Sequence, residues 1–389
     1  DIVAISGALQ PLSLDRYWVW PLALILSMVT ELATRRNFLT GLMATGLAPA
    51  PSWADAGSPA YLAAARLPSG AYALFGLDMR GTQVFRIDLP DRGHAAAAHP
   101  SLPIGVAFAR RPGTFALVID CATGRENARL IAPPGYHFAG HGAFSGDGSR
   151  LFTSENDYEN ARGMVGIWDV RSGYQRLGAF PSGGVGPHEL RIMPDGETLV
   201  VANGGIETHP ETGRAKLNIP EMRPNLSYVA IDGRLLDSHE PPREWQKAST
   251  RHLSVRPDGL VALACQWEGP LSDVPPLLAT HWQGEALRFH GGNDRLEQRM
   301  QGYAGSISFS GDGREIAITG PRGGLAAVFG ADGAPLHELH SKDVCGVAPA
   351  GGGLLFTTGQ GHMFASNCTV NAHLQSHDMQ WDNHLIHIA

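Results

Sequence analysis

The sequence predicts an all-β fold, a β-propeller of seven four-stranded blades, and three observations predict it. Four stretches overlay on one another: HGAFSGDGSRLFTSEN (His141–Asn156), HELRIMPDGETLVVANGG (His188–Gly205), HLSVRPDGLVALACQWEG (His252–Gly269) and SISFSGDGREIAITGPRGG (Ser306–Gly324). Each reads as a short strand, an Asp-Gly turn and a second apolar strand. Asp-Gly between alternating apolar runs signals a hairpin, because the turn needs residues that tolerate positive φ. A hairpin that recurs every few dozen residues is how a propeller writes itself in sequence. Composition is the second observation: 48 Gly and 27 Pro, with 43% hydrophobic residues, suit many short strands and turns. The third is length, since 389 residues exceed what one hydrophobic core usually serves, whereas blades pack only on their neighbours.

The elements follow in order. Residues 1–27 read as an over-extended gene model, because Met28 opens a signal of ordinary length. Residues 28–56 read as a twin-arginine signal peptide. Thr34-Arg35-Arg36-Asn37-Phe38-Leu39 is followed by the weakly apolar GLMATGLAPAP and then by Ala54-Asp55-Ala56, small residues where a signal peptidase reads. The apolar run 18–29 is too short to span a bilayer. The expected mature chain, 57–389, is therefore periplasmic, with no stable membrane span. Inner strands are expected to start at Tyr61, Gly105, His141, His188, His252, Ser306 and Cys345, about 48 residues per blade. Leu67-Pro68-Ser69-Gly70, Pro112-Gly113 and Ala350-Gly351-Gly352-Gly353 stand in for Asp-Gly in the first, second and last blades. Outer strands are visible at GMVGIWDV (163–170), LSYVAID (226–232) and LAAVFGADG (325–333). The interval from His188 to His252, 64 residues, holds its excess in a long loop, 204–223, too polar for a core strand. That loop offers His209, Arg214 and Lys216 as a cationic cover. Phe364–Gln380 looks less propeller-like, and Trp381-Asp382-Asn383-His384 leads into a last strand with a structural role in ring closure.

The repeat also says which side chains gather. An inner strand starts at one end of the channel, and the hairpin sends its partner back to that end. Six or seven residues before the turn stand His141, His188, His252 and Ser306; eight after it stand Glu155, Asn203 and Gln266, with Asp120 in the matching place of the Pro112-Gly113 blade. Arg251 adjoins His252, and Glu268 follows Gln266. Neutral imidazoles with a carboxylate suit a zinc or iron ion, so His141, His188, His252 and Glu155 are the candidate metal ligands. The same residues suit acid–base work near neutral pH. A cationic cover over such a rim suits a small anionic ligand or a metal chelate. A single histidine before an inner strand would more often be structural; three in the same phase weigh towards a site.

Other classes are disfavoured. A net charge of −7 without a basic, aromatic stripe argues against nucleic acid. There is no G-x-S-x-G elbow, P-loop or dinucleotide fingerprint. The four cysteines, Cys121, Cys265, Cys345 and Cys368, form no C-x-x-C, and both a bridged pair and buried free thiols remain open.

YHFAGHGAFS, TSENDYENARGMVGIWD, GVGPHEL, VANGGIETHPETGRAKLNI, CQWEG, CGVA and WDNHL together resemble domain-of-unknown-function family 1513, from about residue 60 to 388. The resemblance implies an exported bacterial seven-bladed propeller related to the YVTN and quinoprotein-dehydrogenase type. It also implies a gene neighbourhood of imelysin-like and di-haem oxidoreductase-like proteins associated with iron acquisition, and hence periplasmic iron-uptake partners. The family has no established catalytic residue to carry over. Three functions are expected in order: a periplasmic ligand- or metal-binding accessory protein, a metal-assisted lactonase- or lyase-type enzyme, and an interaction platform.

Overall fold

The computed structural model describes residues 50–389 apart from 111, 112, 114, 214, 368, 369 and 389. The signal and gene-model readings for 1–49, including Arg35 and Arg36, lie outside the described residues, as do Arg214 and Cys368. Within them, seven antiparallel sheets of four strands form the blades of a propeller. Among the described residues, helix is confined to Leu296–Arg299 and short 3₁₀ turns. No described helix is long and apolar enough to cross a membrane.

The Asp-Gly turns behave as their chemistry demands. Gly148, Gly196, Gly259 and Gly313 have φ between 70° and 98°, where a side chain would be strained. The preceding carboxylates of Asp147, Asp195, Asp258 and Asp312 each accept a backbone N–H two residues on, at 2.9–3.3 Å. Strand periodicity then divides the apolar residues between two interfaces. In Thr198–Asn203, Leu199 and Val201 pack towards the blade before, while Val200 and Ala202 pack towards the blade after. Repetition of this pattern yields seven apolar layers, one between each adjacent pair of blades.

The ring closes with a strand from each end of the chain. Gln380–His387 is the inner strand of blade 1 and pairs antiparallel with Tyr61–Arg66, Tyr61 opposite His387. This corrects the strand phase at two positions. Tyr61 lies on the second strand of blade 1, and Gly105 lies on the second strand of blade 2, Ile104–Ala109. The inner strand of blade 2 is Gly93–Ala98, GHAAAA, whose alanine run has little of the branched character that marks a strand. The other five markers fall on inner strands: Tyr136–Phe144, Pro187–Ile192, Ala248–Val255, Ser306–Phe309 and Val344–Ala350 in blades 3 to 7.

The loop 204–223 carries two 3₁₀ turns, Pro210–Thr212 and Ile219–Glu221. Asn218 ties it down, accepting from Glu207 N and donating to Gly205 O. At the other margin, Trp53–Ala56 forms a 3₁₀ turn, and Trp53 Nε1 donates to His99 O at 2.9 Å. Cys121, Cys265 and Cys345 are buried free thiols, each pushed up to about 12 by burial.

Candidate metal centre

Five inner strands each deliver one histidine to a single cluster: His94, His141, His188, His252 and His384. The device is a β-bulge. Register shifts fall between Gly93 and Ala96, Phe138 and Gly142, Pro187 and Glu189, and Thr250 and His252. In the closing strand the shift lies opposite Ala63 and Ala65, between Leu385 and Trp381. A bulge inserts an extra residue and re-aims a side chain that strict alternation would place between blades. Ring centroids of neighbouring histidines then stand 4.7–5.7 Å apart. Gly140, at φ 100°, makes room for this: a Cβ there would lie 2.6 Å from His94 Cδ2.

Two triads meet the requirement for an ion. The ring nitrogens of His94, His141 and His384 lie within 4.8 Å of one another, and so do those of His141, His188 and His252. Metal–nitrogen bonds of about 2.1 Å span up to about 4.2 Å between two ligands, so small ring adjustments suffice. All but His188 are buried. Burial holds His141, His188 and His384 well below the usual imidazole range and lowers His252 as well, with neighbouring imidazoles adding to the effect. Neutral rings keep the lone pair that a metal needs.

A carboxylate orients one ring from behind. Glu189 Oε2 lies 3.1 Å from His252 Nδ1 and 3.8 Å from His141 Nδ1. A carboxylate only accepts, so His252 carries its proton on Nδ1 and turns Nε2 free, the arrangement that fixes a ligating imidazole. His141 Nε2 and His384 Nε2 are buried without a hydrogen-bond partner. Burial pushes Glu189 up, but Arg191 and the His252 hydrogen bond outweigh it and hold the carboxyl at about 2. Asp382 lies beside His94, 3.8 Å from Nδ1 and beyond hydrogen-bond reach, and is itself bound by Arg92 at 2.6 Å.

Two cavities flank the cluster. One, about 290 Å³, includes His94, His188 and His252 in its lining together with Arg110, Lys216, Arg251 and Arg322. The other, about 220 Å³, lies towards the Asp-Gly end, where Glu189, Arg191 and His384 face Ser254 and Ser308.

Among the residues singled out by sequence, His141, His188 and His252 converge, and Arg251 and Gln266 border the larger cavity. Glu268 stands behind it, paired with Lys216 from the long loop and 4.0 Å from Arg251. His209 of the same loop instead meets Tyr158 edge-on. Three others do not join the cluster. Glu155 is fully buried inside blade 3, bound by Arg176 through two contacts of 2.7 Å and by Thr153. Asn203 is consumed by Ser182, Asn225 and Ser227. Asp120 ends a third strand, which runs to the opposite end of the blade, and caps the turn at Ala122 and Thr123. His94, His384 and Glu189 were missed. His384 is a ligand candidate as well as a residue of the closing strand. Glu189 adjoins His188, and simple alternation would send it to the other face; no sequence signal marks the bulge.

The chain matches the model of a family described as "Protein of unknown function (DUF1513)" over residues 87–388. No curated protein matches it. Among solved structures it resembles Kuenenia stuttgartiensis hydrazine synthase, with a TM-score of 0.54 and 13% identity over 79% of this chain and 89% of that one. At that identity the likeness shows the propeller fold alone.

Proposed function

We propose that this chain, which belongs to the DUF1513 family, is an exported metal-binding accessory protein whose axial histidines hold a divalent first-row transition ion. The observation that supports it above all is the convergence of five largely buried imidazoles, with three ring nitrogens (His94 Nδ1, His141 Nε2 and His384 Nε2) buried and unpartnered. Structural histidines of propellers would hydrogen-bond within their own blade; among the described residues, none of these five bonds to backbone. Imidazole ligands suit iron, zinc, copper or nickel, and a role in iron acquisition follows the family resemblance. His94, His141 and His384 would hold the ion on one side, or His141, His188 and His252 on the other. The bound ion would supply Lewis acidity or simple retention, while Glu189 keeps the His252 proton on Nδ1, away from the ion.

Elemental analysis of the full chain, recovered from the periplasm after native export, tests this reading. One equivalent of a transition metal is expected. The His141→Ala variant, which breaks both triads, is expected to retain less than a tenth of it, with an unchanged circular dichroism spectrum. Stoichiometrically metal-free wild-type protein, even after incubation with zinc or ferrous iron, would overturn it. The cavity beside His94, His188 and His252 favours a second reading, a metal-assisted lactonase or lyase, because it leaves one side of an ion open. Turnover of a lactone panel that disappears in His141→Ala would select that reading.

A further inference from the structure

We propose that the 290 Å³ cavity over the histidine cluster is a binding site for a small di- or tricarboxylate, one carboxylate completing the coordination of the ion and the others pairing with Arg251 and Arg322. This rests on the metal-binding reading above and names the ligand class for the same centre. Three observations carry it.

The first is charge. Four cationic side chains, Arg110, Lys216, Arg251 and Arg322, line one cavity, and no carboxylate is among its lining residues. Glu268 stands behind, and its pairing with Lys216 offsets part of this charge. The second is a buried, underused cation. Arg251 is 6% exposed, its Nε has no partner, and its nearest carboxylate oxygen lies 4.0 Å away. A buried guanidinium is costly without hydrogen-bonded anions, and its planar fork matches a carboxylate with two parallel bonds. Arg322, exposed at the rim, sits 4.1 Å over the Tyr303 ring, which presents its guanidinium beside the same cavity. Gln266, Tyr303 and Asn383 add polar groups that a carboxylate or hydroxyl can use. The third observation is shared lining: the imidazoles of His94, His188 and His252 border the same space as the cations. An anion placed there touches an ion on the histidines and the arginines together.

Size selects within the anions. At about 30 Å³ per water, the cavity holds roughly ten non-hydrogen atoms. That suits a dicarboxylate, or a tricarboxylate whose third carboxylate reaches Arg322 at the open rim, and leaves a phosphate loose. Because one ligand would contact both the ion and the cations, ion and carboxylate must strengthen each other's binding reciprocally.

The test is calorimetric titration of the full mature protein, metal-free and zinc-loaded, with tricarballylate, which lacks the hydroxyl that makes citrate strip metals. Inorganic phosphate and chloride are titrated in parallel. Tricarballylate is expected to bind the zinc-loaded protein at least tenfold tighter than the metal-free protein and at least tenfold tighter than phosphate. Arg251→Gln and Arg322→Gln are each expected to weaken it at least tenfold without changing zinc content. The exposed Arg322 keeps the test open if the Arg251 variant does not fold. Full zinc occupancy with no saturable tricarballylate binding overturns the inference and leaves the metal reading standing. So does phosphate binding as tightly as tricarballylate, or indifference to Arg322→Gln. Arginine-dependent tricarballylate binding by a protein that takes up no metal supports the carboxylate site and overturns the metal reading with its coupling.

Discussion

Glu189 and Glu155 are both buried carboxylates paired with arginine, and they answer different questions. Glu155 and Arg176 form a bidentate pair inside blade 3, remote in role from the imidazoles. Removing the arginine strands a buried charge, so Arg176→Ala is expected to cost about 3 kcal/mol in urea denaturation. Metal content should not change, and a loss of metal would return Glu155 to the site. Glu189 instead sets the proton position of His252 and stands 3.8 Å from His141. Its folded pKa of about 2 lies below the ordinary carboxylate range, so its contribution is present above roughly pH 4.5 and is lost as pH falls towards 2. The histidines act earlier and in the same direction. Their folded pKa values are depressed, so below about pH 6.5 the unfolded chain binds protons that the folded chain refuses. Each ring contributes up to about 1.4 kcal/mol of lost stability per pH unit between those values. The metal-free protein is therefore expected to show a falling urea midpoint from pH 7 to pH 5.5. A flat profile over that range would mean that the rings are not buried as neutral imidazoles.

At the scale of the strand, the bulge decides where chemistry appears. Gly140→Ala tests one directly, since the new methyl meets His94 and sits at φ 100°. Metal affinity is expected to fall at least tenfold and stability by about 1–2 kcal/mol; unchanged zinc affinity by competition with a chromophoric chelator would detach His94 from the centre. The bulges also explain what the sequence made legible. Asp-Gly turns are chemically obligatory, so the hairpins at Asp147, Asp195, Asp258 and Asp312, and the number of blades, can be read from residues alone. His141, His188 and His252 follow, because they stand in phase with those turns. Reasoning from period two breaks where a bulge adds a residue, which is why Glu189 looks misdirected beside His188. Glu155 and Asn203 fail for another reason: a position at the right end of a strand does not say which face the side chain takes. Asp120 fails because its strand is the third of blade 2 and runs to the opposite end. In blade 2 the inner strand GHAAAA carries its histidine in a segment that hydrophobic pattern does not announce.

For the whole molecule, closure and centre are one structure. Gln380–His387 supplies the inner strand of blade 1 and two members of the site, Asp382 and His384. Its removal exposes Tyr61–Arg66 as a bare inner edge and opens the apolar layer containing Phe75, Trp381 and Leu385. A chain ending at Met379 is expected to lose cooperative unfolding and to be cut within minutes by a protease that spares the full chain for hours. A protease-resistant truncated propeller would show that closure is dispensable. The same arrangement has a consequence for biosynthesis. His94 is among the first residues of the propeller to leave the ribosome and His384 is among its last, so the five-histidine set exists only once every blade has been made. An ion held by the proposed centre would thus report a closed ring, from the one blade built by both the first and the last strands of the propeller.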